Sequence, residues 1–147
     1  GYMIGLCSHL GSICAKADND VQQCMKEYGL EIGKAYQIQD DYMEVFSTEE
    51  IMKKSLKSDI ELNKKTYMVC LAFDIDPQGF ESIVNSNKKS TEKLILLRNF
   101  FNETKIKERA MDEINDSFNK ADRTLESIDF KKNHLLKLNN YLKNRGN

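Results

Sequence analysis

Tryptophan is missing from this 147-residue chain, proline occurs once, at Pro77, and glycine seven times. Helix breakers are therefore few, and no run alternates apolar and polar residues as a half-buried strand would, so the chain reads as all-α. Charge of one sign is lacking as well. The 22 basic and 23 acidic residues are interspersed and leave a formal charge of −1. That balance excludes a basic stripe for nucleic acid and a polybasic run for anionic lipid, so any anionic substrate has to be held locally. No Gly-rich phosphate loop, zinc spacing or Ser-His-Asp arrangement is present. The most apolar stretch, Gly1 to Ala15, carries Ser8, His9 and Ser12 and is too short to span a bilayer, and no basic region precedes it as in a secretory signal. Cys7, Cys14, Cys24 and Cys70 contain no C-x-x-C pair and read as reduced core thiols. The expectation is a cytoplasmic protein without a transmembrane segment.

What the chain does have is helical periodicity. Its length and its 40% hydrophobic content suit one globular helical domain over residues 1–147. The spacing predicts a first helix from Gly1 to about Ala15, with Ile4, Leu6, Leu10 and Ile13 among its buried positions. Asp18 should cap a long second helix in which Val21, Met25, Tyr28, Ile32, Tyr36 and Met43 recur at helical intervals. Gly29 and Gly33 lie four apart inside it and mark a close helix contact. Ser47 and Glu50 resemble a capping box, Lys53 to Ser58 reads as a loop or frayed helix, and a third core helix is expected from about Ile60 to Phe73. Asp76-Pro77 is an N-cap and N1 pair opening a short helix to about Ser86. Helices over Thr91 to Phe101, Thr104 to Ser127 and Lys131 to Arg145, charged on their outer faces, complete the set as an outer wall. Because Gly1 stands directly in a helical pattern with no cap before it, residues are expected upstream.

The densest chemistry is in Tyr36-Gln37-Ile38-Gln39-Asp40-Asp41-Tyr42-Met43-Glu44. On a helix Gln37, Asp40, Asp41 and Glu44 share one face. Two readings compete, a solvated acidic face and a cation site. The apolar neighbours Tyr36, Ile38, Tyr42, Met43, Val45 and Phe46 favour the cation, and oxygen ligands suit Mg²⁺, which completes its shell with water and phosphate oxygens. Lys53, Lys54, Lys57, Lys64 and Lys65 follow. Alone they are a solvated basic loop; with Mg²⁺ they could neutralise a departing diphosphate. Asp59 and Thr66 flank Lys64, either orienting that loop or serving as ordinary caps. The run from Asp74 to Gly79 begins like a calcium loop but has Pro77 out of place and Asn85 in the twelfth position. His9 and His134 stand isolated, and the two glycosylation-like triplets at Asn102 and Asn115 lack any secretory context.

These residues together resemble the C-terminal half of the polyprenyl diphosphate synthases, the trans-prenyltransferases of the isoprenoid synthase fold. The family's second aspartate-rich motif, Phe-Gln-x-x-Asp-Asp-x-x-Asp, is matched by Tyr36, Gln37, Asp40, Asp41 and Glu44. Its downstream Gly-Lys-x-x-Gly-x-Asp and Lys-x-Thr elements are matched by Lys53 to Asp59 and by Lys64-Lys65-Thr66. Gly1, Leu10-Gly11, Tyr28-Gly29 and Gly33 fall in the same register, and Leu135 to Arg145 resembles the closing helix. The resemblance implies Mg²⁺ ligation by Asp40 and Asp41 with Glu44 in support, and Gln37 beside the allylic diphosphate. Lys54 and Lys64 would contact the leaving diphosphate. The implied substrates are an allylic diphosphate and isopentenyl diphosphate, and the implied assembly is a homodimer. Glu44 stands in place of the third aspartate, and Lys53 and Lys57 in place of the two glycines. The first aspartate-rich motif is not in this sequence, so residues 1–147 alone are expected to be inactive. A non-catalytic subunit tuning a complete synthase is the alternative; a terpene cyclase is disfavoured because no Asn/Asp-Ser/Thr-Glu triad occurs.

Overall fold

The computed structural model describes residues 1–46 and 65–145. Among them are seven helices and no strand. They are α1 (Tyr2–Cys14), α2 (Asn19–Phe46), α3 (Tyr67–Ile75), α4 (Pro77–Val84), α5 (Ser90–Glu103), α6 (Ile106–Glu126) and α7 (Asn133–Lys143). The expected capping box at Ser47 and Glu50, the Lys53 to Ser58 loop and the first turn expected at Ile60 lie outside the described residues. The chain divides into two compact units, one of residues 1–37 and 113–147, the other of residues 38–112.

In the first unit Asp18 opens α2 as expected, its Oδ1 accepting from the Val21 amide at 2.9 Å. The core gathers Cys24, Tyr28, Ile32 and Ala35 of α2 with Ile114, Phe118, Ala121 and Leu125 of α6, all buried. The four α6 residues recur at intervals of four, three and four, which puts them on one stripe. Helix α1 packs on α2 through its small residues. A Cβ added at Gly29 would lie 2.8 Å from Gly5 Cα, and one added at Gly33 would lie 2.5 Å from Gly1 Cα. Both glycines thus mark the close contact their spacing implies.

That contact corrects the expected core of α1. Gly5 and Ser12 are its buried residues, while Ile4, Leu6, Leu10 and Ile13 are exposed, Leu10 by 50%. The reason is geometric: helix axes can approach closely only where side chains are small, so Gly1, Gly5 and Ser8 meet α2 and the large apolar residues stay exposed. The cysteines are corrected in part. All four are free, but only Cys24 is buried, its Sγ–H donating to Thr124 O at 3.0 Å; Cys7, Cys14 and Cys70 are exposed. Helix α7 docks through Asn139, fully buried, which donates to Phe118 O and to Asp122; Lys143 pairs with the other Asp122 oxygen.

In the second unit α3 begins at Tyr67, later than expected, because Thr66 adopts an extended conformation and its hydroxyl accepts from the Val69 amide at 3.3 Å. Asp76 caps α4 in the same way, accepting from the Gly79 amide at 2.9 Å, with Pro77 in the first turn. A chain of rings runs through the unit's core from Phe73 and Phe80 through Phe100 and Phe101 to Phe46 and Tyr42, with centroid separations between 4.8 and 6.5 Å. Helices α5 and α6 meet at a corner where Lys105 takes a left-handed φ of 59°, a conformation that ends α5 within one residue.

Candidate functional site

Helix α2 carries the acidic face without interruption. Asp40 and Asp41 are adjacent, three and four residues after Gln37 and four and three before Glu44, so the structure brings these four together on one helix. Gln37 is exposed, and the three carboxylates are half-buried. A fully solvated acidic face would be exposed throughout, so this face is set into its surroundings. Ile38 and Val45 of the same helix are buried. Each of the four polar residues has interactions within the protein. Lys54 and Lys64 lie outside the described residues, as do Lys53, Lys57 and Asp59. Thr66 is an N-cap, the plainer of its two expected roles.

The surroundings of the carboxylates are aromatic on one side and cationic at one end. Tyr42 stacks on Phe46 with centroids 4.8 Å apart, and its hydroxyl is pushed above the ordinary tyrosine range, chiefly by burial and then by the charge of Glu108. Lys107 of α6 holds its Nζ 4.9 Å from the centre of the Phe46 ring. Arg98 of α5 donates from Nε to Val45 O at 2.6 Å. In the other unit Arg145 stacks its guanidinium 4.0 Å from the ring of Tyr36, the first residue of the motif. Neither Arg98 nor Lys107 was identifiable from sequence. Arg98 meets a backbone carbonyl 53 residues away, and a carbonyl leaves no residue-type signal.

Among the described residues no group of three or more His, Cys, Asp or Glu side chains converges as a closed metal cage. The donor set on α2 still fits Mg²⁺ of one kind: an ion that takes one or two protein carboxylates and fills its octahedron with water and substrate phosphates needs no such cage. Asp40 and Asp41, adjacent and half-buried, are the two carboxylates that could hold such an ion. Among the described residues, no helix is long and apolar enough to cross a membrane.

Comparison with known proteins extends the picture. A profile of the polyprenyl synthetase family matches residues 1–103, which include the whole acidic face of α2. The geranylgeranyl diphosphate synthase of Saccharolobus solfataricus is 42% identical over 60 residues, covering 41% of this chain and 18% of that protein. A short chain isoprenyl diphosphate synthase of Methanothermobacter thermautotrophicus is 32% identical over 94 residues, covering 63% of this chain and 29% of that one. Among solved structures, a geranylgeranyl pyrophosphate synthase superposes with a TM-score of 0.77 at 23% identity, covering 96% of this chain and 46% of its own. The all-α fold is therefore shared with that synthase, and it extends past residue 103 where the family profile ends. The chain spans less than half the length of these relatives.

Proposed function

Because this chain belongs to the polyprenyl synthetase family, we propose that it forms the diphosphate-ionising wall of a prenyltransferase that joins an allylic diphosphate to isopentenyl diphosphate. The observation that carries this reading is the run of half-buried Asp40, Asp41 and Glu44 with exposed Gln37 on α2, inside the matched span. In the reaction the allylic C–O bond breaks and its electron pair leaves with the diphosphate. The double bond of isopentenyl diphosphate attacks the resulting allylic cation, and loss of a proton completes the product. Asp40 and Asp41 would hold Mg²⁺, with Glu44 behind them, and the bound ion supplies charge neutralisation of the leaving diphosphate. The Gln37 amide would orient the allylic diphosphate, and the ammonium groups of Lys54 and Lys64 would meet the departing one. The buried apolar residues beside this face, Ile38 and Val45, help keep water from the cation.

Relatives twice as long or more hold much that this chain does not span. Residues 1–147 alone are proposed to be inactive, with activity residing in the complete synthase as a cytoplasmic homodimer. Measured conversion of isopentenyl diphosphate by the purified 147-residue chain would refute that. In the complete synthase Asp40→Ala should reduce prenyl transfer at least about 10²-fold, the scale of a lost charge-stabilising group. Asp41→Asn probes the same role while preserving shape, and unchanged turnover in both variants would leave the acidic face a solvated surface.

A further inference from the structure

The last turn of an α-helix leaves four carbonyls without partners inside the helix and carries the negative end of its dipole. In α2 that turn is Met43 to Phe46; it includes Glu44, and Asp40 and Asp41 lie in the turn before it, so carboxylate charge adds to the dipole at the same end. Acidic side chains are unfavourable there, and an uncompensated end would fray. Two cations from other helices meet it. Arg98 Nε donates to Val45 O at 2.6 Å, and Lys107 sits over the Phe46 ring. That ring is also in contact with Tyr42 and Phe101, centroids 4.8 and 6.5 Å away. Val45 itself is buried and the bond to its carbonyl is partly buried.

We infer that Arg98 is the positioning residue of the acidic face: by capping the C-terminal end of α2 it keeps Asp41 and Glu44 on the same side of an intact helix. The geometry is particular to arginine. The donor is Nε, which lies within the side chain, whereas lysine has its only donors at the tip. Lysine at this position would retain the charge favoured by the helix dipole but not the bond. For its catalytic meaning the inference rests on the carboxylate role proposed above.

Amide hydrogen exchange on the 147-residue chain tests the cap directly. Arg98→Met retains an unbranched apolar stem and removes donor and charge together. The amides of Tyr42 to Phe46 should then exchange about tenfold faster or more, the scale of a lost charged hydrogen bond. Those of Ile114 to Leu125 should not change, and Arg98→Lys should fall between. Unchanged exchange at Tyr42 to Phe46 overturns the inference, and so does acceleration throughout the chain, which would make Arg98 a general structural residue. Binding of Mn²⁺, followed by electron paramagnetic resonance, supplies the second readout. It should weaken several-fold in Arg98→Met, with partial rescue in Arg98→Lys. Faster exchange with unchanged Mn²⁺ affinity leaves a helix cap and overturns the positioning role. If the unaltered chain binds no Mn²⁺, the metal role of Asp40 and Asp41 fails instead, and exchange still decides whether Arg98 holds the helix end.

Discussion

An alanine at Gly29 would place a methyl group where α1 meets α2. Its Cβ would lie 2.6 Å from Ser8 Oγ and 2.8 Å from both Gly5 Cα and Ile4 O. Two of those three atoms are backbone and cannot rotate away, so α1 has to shift as a body, by more than about half an ångström, to restore ordinary contact. Overpacking of this kind costs about 1–3 kcal/mol. Against it stands the helix propensity that alanine gains over glycine, about 1 kcal/mol. The net expectation is a destabilisation of up to about 2 kcal/mol. Gly11 on α1 is the control, because a Cβ there meets nothing within 4 Å. Gly11→Ala should therefore stabilise by up to about 1 kcal/mol from propensity alone. Urea denaturation followed by far-ultraviolet circular dichroism compares the two. The same chemical change at two helical glycines should have opposite signs, separated by about 1–3 kcal/mol. If Gly29→Ala proves as stable as Gly11→Ala, the close approach of α1 to α2 is wrong.

Two further outcomes concern titratable groups. Under native conditions a charged aromatic disulfide reagent should modify Cys7, Cys14 and Cys70 quickly and Cys24 only on unfolding, because Cys24 is buried and burial pushes its thiol up; four equally fast thiols would contradict that. Tyr28, 2% exposed and donating to Leu135 O, has its hydroxyl pushed from 10 to about 12, first by burial and then by Asp122. A folded pKa above the unfolded one means that Tyr28 contributes fully below pH 10 and that the contribution, at most about 2.7 kcal/mol, fades as pH rises through about 12. Solvent screening at the hydroxyl lowers that ceiling. Ultraviolet absorption should show a late-ionising tyrosine that disappears in Tyr28→Phe.

The parts of the fold that depend on neighbours in sequence were legible. Asp18, Asp76 and Pro77 announce helix starts because capping is satisfied within three residues, and the spacing of Gln37, Asp40, Asp41 and Glu44 fixes a shared face on any helix. The side of α1 that is covered was not. Periodicity tells which residues share a face and is silent on which face meets a partner, and the large apolar residues invited the wrong choice. The better signal was the small set Gly1, Gly5, Ser8 and Ser12, recurring at four, three and four, opposite Gly29 and Gly33. The start of α3 was misplaced for a related reason. Thr66 bonds locally to Val69 and stops the helix, overriding an apolar pattern that runs on. Arg98 had no signal at all, since its partner is the backbone of Val45.

The orientation of α1 also bears on how the chain behaves in concentrated solution. Between Tyr2 and Cys14 there is no acidic residue and no lysine or arginine, and Tyr2 and Met3 are 80% and 71% exposed. A formal charge of −1 gives little mutual repulsion between molecules. The exposed apolar side chains of α1 are consequently a surface on which one molecule can meet another, and a single lysine in place of Leu10 should raise solubility.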